Sequence, residues 1–151
     1  LIQEEKNTNS SDDVTLTLVT DNRLADNDAT YHVFFDRTLL ELALRNLFNN
    51  AKEAMKGHDT EESSSIYCYL SRNSQGVSLR VCDNGPGVPD ALKDRIFEPF
   101  YTTKPDGTGA GLSLMYRLQE HYPVFITLDS TFQHPEIPYV GACFQLLFKT
   151  Q

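Results

Sequence analysis

Asn46, Asn50 and Glu53 recur at spacings of four and three inside LRNLFNNAKEAM (Leu44 to Met55). At about 100° per residue they share a narrow arc of one helix, away from the leucine stripe. Asn is a modest helix former, so two of them in mid-helix ask for a reason. An amide oxygen is a hard ligand, suited to Mg²⁺, which keeps several waters and takes its remaining oxygens from phosphate. Downstream, VCDNGPGVPD places Asp83 at the end of a strand and follows it with Gly85 and Gly87. A carboxylate there can accept from the exocyclic amine of adenine and disfavours guanine, whose carbonyl would face it. Further on, Gly107, Gly109 and Gly111 alternate in GTGAGL, ahead of a helical pattern. Bare backbone amides at such a point suit a phosphate. Each segment also has an ordinary reading: a polar helix face, an Asp-Asn-Gly turn, a flexible loop.

Between the two glycine segments lies FEPFYTTKP. Phe97 and Phe100 read as apolar anchors of a loop able to close over a ligand. Lys104 is placed to reach terminal phosphate oxygens, although a solvated loop lysine reads the same way.

These parts need elements to hold them. Residues 1–13 are polar and charged and read as a tether; 14–151 reads as one domain. Val14 to Thr20 and Ala29 to Phe35 are expected strands, separated by a turn-rich loop. Asp36 is the expected N-cap of a helix over Thr38 to Lys56, whose apolar stripe is Leu40, Leu44, Leu47, Ala51 and Met55, with Gly57 as its stop. Ile66, Cys68 and Leu70 alternate on one strand of a hairpin and Val77, Leu79 and Val81 on the other, with SRNSQG as the turn. Pro89 to Arg95 reads as a short helix, and Ala110 to His121 as a longer one stopped by Pro123. Val124 to Leu128 and Ala142 to Phe148 are the last expected strands. The fold class that follows is α+β: a two-layer sandwich with a mixed, mostly antiparallel sheet of about five strands packed on three helices.

Composition narrows the chemistry. The formal net charge of −8 disfavours a nucleic-acid backbone binder. Cys68, Cys82 and Cys143 are widely spaced and form no CxxC pair, so they read as reduced strand or core thiols and not as a zinc site. His32, His58, His121 and His134 are scattered and read as solvated or structural. No apolar run has transmembrane length, and the chain starts at Leu1, so it reads as a segment of a longer protein.

The ordered set of four segments resembles the N, G1, F and G2 boxes of the GHKL ATP-binding superfamily. It is most similar to the catalytic ATP-binding domain of sensor histidine kinases of the nitrogen-regulation type, which have a short lid. The resemblance covers roughly residues 14 to 150. It implies the family's ATP-binding sandwich, with ATP and Mg²⁺ as cofactors. Asn50 would hold the metal, Asn46 would stand beside the phosphates, and Lys104 would act at the γ-phosphate. Glu53, Asp83, Gly85, Gly87, Phe100, Thr103, Gly107, Thr108, Gly109, Gly111 and Leu112 would complete the nucleotide site.

The hydrolysing branch of the superfamily carries a water-activating Glu at the place of Asn46; an Asn cannot take a proton there, which suits transfer to a protein nucleophile. The resemblance therefore implies γ-phosphoryl transfer to a histidine on a separate dimerisation domain, then relay to a response regulator. It implies a cytoplasmic setting, no nucleic-acid partner and no membrane contact by this domain, and an isolated domain that is monomeric. An anti-sigma-factor-type serine kinase and a nucleotide-sensing module are the rival readings. The chain departs from the family pattern at His121-Tyr122-Pro123-Val124, where Gly-Gly is usual, in the extra HPEIPY stretch, and at Ala110 in place of Leu. It contains no phosphoacceptor helix.

Overall fold

A computed structural model describes residues 3–6, 14–20, 32–56, 63–103, 109–137 and 140–149. Its centre is one mixed sheet in the order β1-β2-β3-β4-β6-β5. The strands are β1 (Gln3–Lys6), β2 (Thr15–Thr20), β3 (Ser65–Asn73), β4 (Gly76–Asp83), β5 (Val124–Leu128) and β6 (Cys143–Lys149). β2 runs parallel to β3, and every other pair is antiparallel. Five of the expected strands correspond to β2 to β6. β1 adds an edge strand from within the segment read as a tether.

Helix α1 (Arg37–Met55) starts where Asp36 accepts a hydrogen bond from the Leu39 amide at 3.0 Å. This is the N-cap anticipated from the sequence. Its buried line is Ala43, Leu47, Ala51 and Met55, one residue every four, while Leu40 and Leu44 pack at the margin. Gly57 lies outside the described residues, and the helix closes at Lys56. Helix α2 (Gly111–Arg117) is shorter than the Ala110 to His121 pattern suggested, because a 3-10 turn over Leu118–Glu120 takes over its last part. At Pro89 to Arg95 the helix shrinks to a single 3-10 turn, Asp90–Leu92.

Two strand readings need correction. The described part of Ala29 to Phe35, residues 32–35, is not a strand. It is a lead-in whose Phe35 ring packs on Tyr122 and Phe148, at 4.7 and 5.4 Å between centroids. Aromatic anchoring replaces ladder bonding there. The β3–β4 hairpin is tighter than SRNSQG suggested, with strand pairing continuing to Asn73 and Gly76. The Asn73 side chain accepts from the amides of Gln75 and Gly76, closing the turn locally.

Side chains alternate across the sheet, so each strand serves two faces. On one face Ile66, Cys68, Val81, Phe144, Leu146 and Phe148 pack against α1 and α2. The connection from β5 to β6 lies against the opposite face, where Phe132 meets Tyr69 at 5.4 Å. The extra HPEIPY stretch belongs to this connection; Ile137 is buried, and residues 138–139 lie outside the described set. The β5–β6 register runs from Val124 opposite Phe148 to Leu128 opposite Phe144.

Cys82 and Cys143 face each other across β4 and β6 and are joined as a disulfide. The reading of three reduced cysteines is thus corrected for two of them. Sequence spacing of 61 residues hid a pair that the strand register makes adjacent. Cys68 is the free thiol, its pKa pushed up to about 11 by burial, which leaves it unreactive. Among the described residues no helix is long and apolar enough to cross a membrane.

Candidate functional site

The sheet's helix-covered face is incompletely filled. Near the ends of β4 and β6 a cavity of about 440 Å³ remains, a size suited to a nucleotide-scale ligand. α1 supplies one wall. Asn46, Asn50 and Glu53 all line the cavity, so the arc inferred from helical spacing faces a common space. Asp83 forms the floor, and Gly87, Thr103, Gly109, Gly111 and Leu112 line the remaining sides.

Three elements meet at this place for local reasons. The apolar line of α1 buries against the sheet, which leaves the Asn face turned toward the strand ends. The start of α2 packs beside α1: a Cβ on Gly111 would stand 3.5 Å from the Asn46 side-chain carbonyl. Phe97 anchors the intervening loop by packing on Tyr116 and Phe144, at 5.1 and 6.3 Å between centroids. Gly109, at φ 64°, lies so close to the Phe100 backbone that any Cβ would strike its carbonyl carbon. Only glycine fits that approach.

Asp83 is the most distinctive group of the site. It is 4% exposed. Its Oδ1 accepts from the Gly85 amide at 2.9 Å and from the Ala142 amide at 3.1 Å. Burial raises its pKa above the ordinary carboxylate value, and the two amides pull it back in part. Asn84 turns the other way: its Oδ1 accepts from Ser65 N and its Nδ2 donates to Ser63 O, tying the loop to β3.

Not every candidate converges. Gly85 is absent from the cavity wall and acts on it through Asp83. Phe100 is not the apolar anchor expected of it; it is 82% exposed, and its φ of 64° turns the chain where it meets Gly109. Lys104, Gly107 and Thr108 lie outside the described residues. Conversely, Asn49, Tyr101, Thr102, Ala142 and Phe144 line the cavity without having been singled out. Asn49 was legible as a neighbour of Asn50. Ala142 was not, because nothing local marks the residue before a strand as a partner of a carboxylate 59 positions earlier.

Among the described residues the cavity is lined by two carboxyl side chains, Glu53 and Asp83, and by no lysine or arginine. An anionic ligand therefore enters with a cation. Among the described residues no group of three or more His, Cys, Asp or Glu could hold a metal ion alone. The hard oxygens of Asn50 and Glu53 fit a hydrated Mg²⁺ that completes its shell from ligand phosphate.

Comparison with known proteins gives the family of this fold. A family profile described as histidine kinase-, DNA gyrase B-, and HSP90-like ATPase matches residues 35–151. Sporulation kinase B of Bacillus subtilis is 32% identical over 101 residues, 67% of this chain and 23% of its own length. Nitrogen regulation protein NtrY of Azorhizobium caulinodans is 33% identical over 97 residues, 63% of this chain and 13% of its own length. The chain thus spans less than a quarter of these two relatives. Among solved structures, the nucleotide-free catalytic domain of histidine kinase ThkA superposes with a TM-score of 0.65 at 30% identity, covering 89% of this chain and 79% of that one.

Proposed function

Because the chain belongs to the histidine kinase-, DNA gyrase B- and HSP90-like ATPase family, we propose that its cavity binds Mg²⁺·ATP and presents the γ-phosphoryl group to a histidine on a separate dimerisation domain. The phosphoryl group then passes to a response regulator. The observation that carries this reading is the convergence of Asn50, Asp83 and Gly109 on one cavity. The relatives named as sporulation, nitrogen-regulation and sensor kinases support the same direction.

Each residue has a task that its chemistry permits. Asp83 accepts from the adenine amine, and its burial makes that bond selective. Asn50 holds the metal with Glu53 close by, and Asn46 contacts the phosphates. Gly87 and Leu112 frame the base and sugar, while Gly107, Gly109 and Gly111 leave backbone free beside the phosphates. Thr103, Thr108 and Lys104 stand at the phosphate end, with Phe100 at the loop's outer turn. When bound, Mg²⁺ neutralises charge on the transferring phosphate oxygens. Nothing lining the cavity at position 46 can deprotonate water, since an amide takes no proton at neutral pH. Positioning of the nucleotide for a partner's imidazole is then the main contribution.

Such a domain works in the cytoplasm, beside the dimerisation and regulator domains it serves. Taken alone it is a monomer that binds ATP and hydrolyses it slowly. The test is nucleotide titration by calorimetry with Asn50→Ala and Asp83→Ala, each checked for folding by circular dichroism. Loss of Mg²⁺·ATP binding of about a hundredfold in folded variants is the expected result. Retained affinity in both overturns the residue roles. Rapid phosphate release by the isolated domain would instead mark a hydrolase.

A further inference from the structure

The geometry points to Gly141 and Ala142 as positioning residues that set how Asp83 selects the base. This rests on the reading of Asp83 as the adenine acceptor. Beyond the last register pair, Cys82 and Cys143, β4 and β6 do not simply part. The Asp83 amide donates to the Ala142 carbonyl at 2.9 Å, while the Asp83 carbonyl accepts from the Gly141 amide at 2.7 Å. Two residues of one strand thus serve one residue of the other, the arrangement of a bulge.

The consequence lies in the Ala142 amide. Freed from the ladder, it donates to Asp83 Oδ1 at 3.1 Å. With the Gly85 amide on the same oxygen at 2.9 Å, that oxygen is occupied by the protein. One side-chain rotamer is held, and the carboxylate's remaining hydrogen-bonding capacity is directed to a ligand. Gly141 makes the arrangement possible. A Cβ there would stand 2.7 Å from Asp83 Oδ1 and would also strike the Gly85 carbonyl. The strand end and the loop after β4 approach so closely that only a bare Cα fits between them.

The titratable groups sharing the cavity with Asp83, among the described residues, are Glu53 on α1 and Tyr101 in the loop before α2. Asp83→Asn, titrated over the same pH range, separates the acid limb of Asp83 from any that belongs to these neighbours.

Replacing Ala142 by its α-hydroxy acid analogue swaps one N–H for an ester oxygen and leaves every side chain in place. Binding of ATP and of inosine triphosphate, which lacks the 6-amino donor, is then measured from pH 5 to 8. ATP affinity falls by about tenfold while inosine triphosphate changes little, and the acid limb of ATP binding moves to higher pH. Gly141→Ala reduces the ATP preference in the same direction, and where that variant fails to fold, the ester variant decides. An unchanged ATP preference and acid limb in the ester variant overturn the positioning role. Asp83→Asn, run in parallel, isolates the premise: if it retains full ATP preference, the adenine-acceptor reading itself falls.

Discussion

The two faces of the central sheet solve opposite problems with the same strands. On the face covered by the connection from β5 to β6, Arg80 donates from Nε to Asp129 at 3.2 Å and from Nη1 to Ser78 Oγ at 3.0 Å, and its guanidinium lies 4.8 Å from the Phe132 ring centroid. Gln145 donates to the same Ser78 hydroxyl, Tyr69 makes tilted ring contacts with Phe132 and His134, and the disulfide closes the end of the β4–β6 pair. Polar groups there find their partners within the protein. The helix-covered face instead leaves a cavity and turns a buried carboxylate into it. The helix-covered face thus holds both the main hydrophobic core and the cavity, while the opposite face closes its polar groups on one another. A ligand gains free energy at the cavity, where a desolvated carboxylate still has bonding capacity to offer.

Removing the disulfide by a Cys82→Ala, Cys143→Ala pair should break that contrast most visibly. Closure of a 61-residue separation is worth about 4 kcal/mol in the chain-entropy account. Chemical unfolding should show a loss of that order, with ATP affinity within about threefold of the parent. A hundredfold loss of affinity at unchanged stability would reverse the assignment of roles to faces.

Asp83→Asn is the converse experiment. Nucleotide affinity should fall about a hundredfold, or about 2.7 kcal/mol, while thermal stability at neutral pH holds or rises. The sign follows from burial. Asp83 has a folded-state pKa above its unfolded value, so the folded protein binds that proton more tightly. The stability this contributes is present below the unfolded value near 3.9 and is lost as pH rises through the folded value. At neutral pH the charge is a cost that the Asn variant lacks.

Phe132→Ala should cost about 1–2 kcal/mol by uncovering Arg80 and Tyr69, with no change in nucleotide binding. The smallest effect is on pH dependence. ATP affinity of the parent should begin to fall on acidification above the ordinary carboxylate range, as Asp83 takes its proton. Calorimetric titration at several pH values checks it, and a limb that persists in Asp83→Asn would assign it to another group.

Local chemistry left clear marks on this chain. The Asp36 cap and the four-residue apolar spacing announce α1, and helical geometry alone brings Asn46, Asn50 and Glu53 onto one face. Alternation of residue type, as in Val77-Ser78-Leu79-Arg80-Val81, announces β3 and β4, even though both faces of β4 turn out to be covered. The strand at Ala29 to Phe35 misled for the same reason in reverse: alternation of Val33 and Phe35 records burial, and aromatic packing buries them as well as a ladder would.

Contacts between distant segments left no such mark. Cys82 meets Cys143, and Asp83 meets Ala142, because β6 crosses the chain to pair with β4. Register is a property of two strands at once, so neither segment carries it alone. Residue types and their spacing along single elements were therefore readable from the chain. The rotamer and acidity of the buried carboxylate, and the division of labour between the sheet's two faces, arise only when strands far apart in sequence come into register.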